Sequence, residues 1–246
     1  MKDTAQIMGI QFPKRTLDES VNILRQVVEE PQPELFHVVT VNPEITMACQ
    51  KNTELRSIVE EAGMITADGI GIVMVSRIKG SHLPERVTGY DMLLKLLEVG
   101  NEKNWSFYLL GADPVTNPKA CEVIRATYPN LEICGNQHGF FKPEEEGRII
   151  EEISAAKPDF LIVALGAPYA ERWIHQHRTK LNAKVAIGVG GSLDVIAGKV
   201  KQTPEVWKRW NVEWLYRLIQ QPHRWRRQLI LPQFAIRAIL YREGRR

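Results

Sequence analysis

The feature that most constrains this chain is a repeated unit. A short apolar, β-branched run stops at a small polar residue and passes at once into a run with helical spacing. His37-Val38-Val39-Thr40-Val41-Asn42-Pro43-Glu44 and Thr66-Ala67-Asp68-Gly69-Ile70-Gly71 show it most clearly. In the first, Asn42 reads as the helix cap, Pro43 as the first helical residue and Glu44 as an acid facing the positive helix end. In the second, Asp68 holds the capping position ahead of Gly69. After one N-terminal strand from Ile7 to Phe12, strands are expected at 36–41, 64–67, 105–110, 131–134, 160–165 and 185–189. Helices are expected at 17–28, 43–61 with a break near Asn52, 69–79, 90–100, 115–127, 143–156 and 169–181. Short strands alternating with longer helices give right-handed βαβ crossovers. The expected fold is therefore α/β, a Rossmann-like, mostly parallel sheet with helices on both faces. The carboxyl ends of its strands open on a crevice where ligands bind, and Asn42 and Asp68 both point there. Most such residues are only caps, worth about 1 kcal/mol. Position alone leaves each between a structural and a functional role.

After Gly198 the pattern changes. Residues 201–246 carry eleven Lys/Arg against three Glu, a balance of +8, while residues 1–200 carry 21 basic and 26 acidic groups, a balance of −5. Four of the six tryptophans, Trp207, Trp210, Trp214 and Trp225, fall in this tail. At 100° per residue, Trp225, Leu229, Ile236 and Leu240 share an arc of about 60°, bordered by Arg226, Gln233 and Arg237. We read residues 1–200 as an α/β catalytic domain and 201–246 as a helical, basic appendage that associates with membrane. The body and the tail then have different partners.

Three widely spaced cysteines without a CxxC or Cys/His pattern argue against a disulfide framework or a zinc site. Met1-Lys2-Asp3-Thr4 leads into a polar segment, and no apolar run approaches the roughly 20 residues that span a bilayer. The expected location is cytoplasmic, at most on a membrane surface.

Three strand-to-helix turns are glycine-rich: Gly111-Ala112-Asp113, Gly166-Ala167-Pro168 and Gly188-Val189-Gly190-Gly191. Such turns let backbone N–H groups approach an anion at a helix N-terminus. Tight turns also use glycine for backbone reasons alone; three at the same end of one sheet favour a nucleotide-like ligand. The dinucleotide fingerprint fails, because Leu193 stands where its third glycine should fall, and GxxxxGK[ST] is absent. Asp194 reads either as an acceptor for ribose hydroxyls or as a helix N-terminal acid. With no DxD, a diphosphate-bridging Mg²⁺ or Mn²⁺ has no evident carboxylate ligands. Leaving-group charge would then fall to helix N-termini and arginine, with Arg86 the best-placed loop candidate or else a plain surface arginine.

Val39-Thr40-Val41-Asn42-Pro43-Glu44, Thr66-Ala67-Asp68-Gly69-Ile70-Gly71, Glu85-Arg86-Val87-Thr88-Gly89-Tyr90-Asp91, Ala164-Leu165-Gly166-Ala167-Pro168 and Gly188-Val189-Gly190-Gly191-Ser192-Leu193-Asp194 occur in the order seen in the bacterial WecG/TagA/CpsF glycosyltransferases. The chain resembles that family over about residues 35–200. Its tail, with Asn211-Val212-Glu213-Trp214 and Tyr216-Arg217-Leu218, resembles the family's C-terminal appendage. The resemblance implies inverting, metal-independent transfer, without a cofactor, of N-acetylmannosamine or a related sugar. The donor would be a UDP-sugar and the acceptor the C4 hydroxyl of GlcNAc on undecaprenyl diphosphate. By matching position, Asp68 would be the general base, Thr40 and Asn42 would position substrate, and Arg86 would serve the phosphates. Gly190, Gly191 and Asp194 would help hold UDP, with Gly111 and Gly166 in the other two glycine turns that bind substrate. Arg217, Arg224 and Arg227 match tail arginines that reach the active site or the lipid diphosphate. One departure stands out: the family's GxPxQE motif has Gln where this chain has Ala170, ahead of Glu171. The implied partners are the UDP-sugar, the lipid-linked acceptor and an anionic membrane surface on the inner face of the bacterial cell membrane. A homo-oligomer is left open, and nucleic acid is not a partner. Two other readings compete: a Rossmann-type nicotinamide oxidoreductase, which the missing fingerprint disfavours, and a non-catalytic nucleic-acid binder using the basic tail, where Trp among Arg suits base stacking as well as a headgroup interface.

Overall fold

The N-terminal run is a hairpin rather than one strand: β1 (Thr4–Ile7) pairs antiparallel with β2 (Ile10–Pro13). Met8 and Gly9, at φ 51° and 80°, supply the left-handed backbone that a two-residue hairpin turn requires. The computed structural model describes residues 3–30, 33–204, 206–207, 210, 213–220, 225 and 229–243, with the Arg217 side chain outside the description.

Six further strands form one sheet in the order β4-β3-β8-β7-β5-β6, with every pairing parallel. They are β3 (Phe36–Val41), β4 (Met64–Ala67), β5 (Ser106–Gly111), β6 (Glu132–Gln137), β7 (Phe160–Ala164) and β8 (Val185–Gly188). The inner strands are nearly continuous apolar runs because helices cover both of their faces. Val38 and Ile187 point into a cluster with α5 (Gly89–Lys103) and α6 (Thr116–Thr127). The opposite face divides between two clusters. Val39 and Val41 meet α2 (Pro43–Cys49), α3 (Thr53–Glu61) and α4 (Ile70–Ile78). Ala186 and Leu161 meet α7 (Glu146–Ala156) and α8 (Tyr169–His177). The expected break near Asn52 is real: Asn52 caps α3, accepting from the Leu55 N–H at 2.7 Å.

The neighbours β3 and β8 send their helices to opposite faces. After β3, α2 packs beside Val39 and Val41, whereas after β8 the short α9 (Ser192–Ile196) packs with α5 and α6. That divergence is the switch point at which open α/β sheets form a ligand crevice.

The tail is less detached than its composition suggests. Helix Ile230–Leu240 packs on α2 and α4, and its Phe234 and Ala238 share the core of Val39, Ile45 and Ile72. Its end is clipped to the body. The Glu243 carboxylate accepts from the Met8 and Gly9 N–H groups at 2.7 and 2.9 Å and pairs with Lys79 at 2.8 Å. The stripe expected from periodicity is not the docked face: Trp225, Leu229, Ile236 and Leu240 are all exposed. Phe234 and Ile236 lie about 160° apart on the helix, so it carries two apolar faces. Among the described residues no helix is long and apolar enough to cross a membrane.

Candidate active site

A cleft of about 290 Å³ opens at the switch point. Thr40, Asn42 and Asp68 contribute from the ends of β3 and β4, and Gly166 from the end of β7. Gly190, Gly191 and Asp194 contribute from the loop and helix after β8. Sequence reasoning thus places seven of its candidates on one cleft.

The side chains at the two neighbouring strand ends behave differently. Asn42 caps α2, its Oδ1 accepting from the Ile45 N–H at 2.9 Å, and it still lines the cleft. Asp68 is not the cap expected of it. The N-cap of α4 is Gly69, at φ 123°, which has no side chain to cap with. The Asp68 N–H is tied to the Val41 carbonyl at 2.9 Å, which joins the turn to the end of β3. Thr40 is buried and donates to the Gly188 carbonyl at 3.4 Å, joining β3 to β8 beneath the cleft.

After β8, Gly190 adopts φ 54° in the turn ahead of α9. Asp194 has Lys199 at 3.4 Å, and the same ammonium donates to Asp113 at 2.6 Å. Lys199 and Thr116 hold the Asp113 carboxyl well below the usual carboxylate range. Gly111 does not line the cleft: a Cβ there would fall 2.4 Å from the Ala164 backbone, so close approach of β5 and β7 accounts for that glycine. Arg86 is also absent from the lining. Its Nη1 donates to the Glu213 carboxylate at 2.6 Å, and Asp91 lies 3.7 Å from Nη2. Glu213 opens helix Glu213–Gln220, and it lines the cleft with Tyr216 and Gln220. The tail therefore roofs the site and is latched to the Arg86 loop. Arg224 and Arg227 lie outside the described residues, as does the side chain of Arg217.

Ala170, where the family pattern has Gln, is buried in the cluster of Trp173 and Ile174 and does not line the cleft. Its neighbour does. Glu171 is 2% exposed, and its Oε2 has no hydrogen-bond partner among the described residues. Burial pushes its carboxyl up to about 7. Sequence reasoning passed over it as part of a motif, although a lone acid between apolar helix positions was a usable signal. Among the described residues no group of three or more His, Cys, Asp or Glu is placed to hold a metal ion.

The sequence model of the glycosyl transferase WecG/TagA/CpsF family matches residues 5–246. The N-acetylglucosaminyldiphosphoundecaprenol N-acetyl-beta-D-mannosaminyltransferase of Bacillus subtilis (strain 168) is 39% identical over 199 residues, which cover 81% of this chain and 77% of that protein. The protein of the same name from Bacillus spizizenii is 37% identical over 206 residues, covering 84% and 79%. That from Staphylococcus aureus (strain MRSA252) is 30% identical over 213 residues, covering 87% and 83%.

Proposed function

The chain belongs to the WecG/TagA/CpsF family of glycosyltransferases, and from that premise we propose that it moves N-acetylmannosamine, or a related sugar, from UDP to the C4 hydroxyl of GlcNAc on undecaprenyl diphosphate. The named relatives support the donor sugar and the acceptor. The observation that carries the mechanism is the placement of Asp68: a carboxyl at a strand end, on the cleft, that does not serve as its helix's cap.

In this reading Asp68 takes the proton of the acceptor hydroxyl while that oxygen bonds to the anomeric carbon. The bond from that carbon to the β-phosphate oxygen breaks on the opposite side, and the configuration inverts. A carboxylate with an ordinary pKa of about 3.9 is a weak base for a sugar alcohol. Proton transfer concerted with C–O bond formation, under the roof of the tail helix, removes that difficulty. Negative charge gathers on the departing UDP. The N–H groups of the Gly190-Gly191 turn and the tail arginines are the groups suited to receive it. Thr40 and Asn42 fix the acceptor side, and Asp194 the ribose side.

The acceptor is anchored in a bilayer, and we place the protein on the membrane surface through the exposed apolar face of helix Ile230–Leu240. Leu229, Ile236, Ile239 and Leu240 are exposed there, as are Met74 and Ile78 of α4, on which the helix packs. The tail's charge suits anionic headgroups.

The test of the activity is direct. The protein is incubated with UDP-N-acetylmannosamine and a short-chain GlcNAc-diphospho-lipid, and the disaccharide lipid and UDP are measured. Formation of both in equal amounts is expected; UDP release without the disaccharide would overturn the reading.

A further inference from the structure

Glu171 enters the cleft from the face opposite Thr40. Along β8, Val185 and Ile187 point to the α5 and α6 side, and Ala186 points to the α8 side. Gly188 continues that alternation, so its missing side chain faces α8. Glu171 fills the space: a Cβ on Gly188 would fall 2.9 Å from its Oε1. Thr40 reaches the carbonyl of the same glycine from the other face. The carboxyl therefore lies against the last residue of β8, the strand at the switch point, and lines the cleft together with Thr40, Asp68, Gly190 and Asp194.

A buried carboxyl with an unpartnered oxygen is costly, about 1–3 kcal/mol for an unsatisfied polar group. Such an orphaned group calls for an explanation, and a bound ligand that supplies the missing partner is one. We propose that the Glu171 carboxyl contacts the sugar carried by the nucleotide donor, hydrogen-bonding one of its hydroxyl or amide groups. This rests on the nucleotide-sugar reading above and adds to it a residue that sets which sugar is held.

The chemistry selects the sugar over the diphosphate. A carboxyl repels phosphate oxygens when ionised, whereas a hexosamine offers neutral O–H, N–H and C=O groups. With its pKa raised to about 7, a large part of Glu171 is the uncharged acid near neutral pH, with one O–H to donate and an oxygen to accept. Both can be matched by adjacent groups on a sugar ring.

The experiment measures binding of UDP and of UDP-N-acetylmannosamine to the full chain by titration calorimetry, for wild type, Glu171→Gln and Glu171→Leu. Leucine keeps the packing and removes every hydrogen bond; Glu171→Met serves the same end if the branch does not pack. UDP affinity is expected to stay within about twofold in all variants. Affinity for the UDP-sugar should stay within about threefold for Gln and fall about tenfold or more for Leu, the scale of one hydrogen bond. Equal weakening for both ligands would show that Glu171 supports the cleft as a whole, and no change for either would show that it touches nothing; both overturn the proposal. Failure of the wild type to bind either ligand is a different outcome, and it overturns the nucleotide-sugar reading itself.

Discussion

Asp68 and Asn42 end adjacent strands in the same manner, yet only Asn42 caps a helix. That difference makes Asp68→Asn an informative change. Gly69 remains the N-cap, so the fold and UDP binding should persist, while transfer falls at least about 10²-fold, the lower end for loss of a general base. Retained transfer in the mixed-substrate assay would sink the assignment. Glu171 offers a second, independent readout through stability. Asp68, Asp194 and Lys201 line the same cleft, but burial is what raises the Glu171 carboxyl to about 7, its own backbone N–H working the other way. Between about pH 4.5 and 7 the folded protein holds a proton that the unfolded chain has released, so stability falls as pH rises through that window and then levels off. Glu171→Gln should erase this slope and leave the protein about 1–3 kcal/mol more stable than wild type at pH 8, measured by urea unfolding. A parallel pH profile in the two proteins would mean that water or relaxation keeps the carboxylate solvated. Asp68 was legible in the sequence because its turn declares a strand end. Glu171 was harder to read, since the space its carboxyl fills is left by Gly188, seventeen residues on and on β8 rather than on its own helix.

At the scale of elements, parallel strands buried on both faces announce themselves as apolar runs, which is why β3 to β8 and their order along the chain could be read. What pairwise pattern conceals is which face meets what. Helix Ile230–Leu240 has apolar residues on two sides, and periodicity through Trp225 selected the exposed one; the docked face is the i, i+4, i+8 set Ile230, Phe234 and Ala238. The hairpin was missed for a local reason: Met8-Gly9 lacks the Asn-Gly or Asp-Gly signal of a two-residue turn. The ion pair between Arg86 and Glu213, 127 residues apart in sequence, could not be read at all. Both side chains are largely buried, at 21% and 12% exposure, so removing one partner leaves the other's charge poorly compensated. Glu213→Ala should cost about 1–3 kcal/mol and release helix Glu213–Gln220, whose tail is rich in tryptic sites. Limited trypsin digestion reads this out: the tail should be cut well before the body, and an unchanged cleavage order would show that the helix is held without the pair.

At the scale of the molecule, the site must meet an acceptor held in a bilayer. A charge map of the sequence invites removal of everything beyond Gly198, with loss of membrane binding as the sign of an anchor. The structure argues against that cut. Phe234 and Ala238 complete the core beside α2 and α4, and Glu243 ties down the β1–β2 turn, so truncation would expose apolar surface and unsettle the fold. Binding is better tested on the face that the body leaves exposed, where Ile236 and Leu240 are 61% and 73% exposed. The full chain is expected to sediment with phosphatidylglycerol vesicles at low salt, because each basic residue near such a surface contributes about 1 kcal/mol and the tail carries a balance of +8. Raising the salt from 0.1 to 1 M shortens the screening length from about 10 to about 3 Å and should release it. The double variant Ile236→Ser/Leu240→Ser removes apolar contact without touching the docked face, so its melting temperature should hold. Its vesicle binding should weaken at least about tenfold, and its transfer to a lipid-linked acceptor in vesicles should fall with it, while transfer to a detergent-soluble short-chain acceptor stays at the wild-type rate. If the variant binds vesicles as well as wild type does, the exposed face has another partner and charge alone brings the site to the membrane.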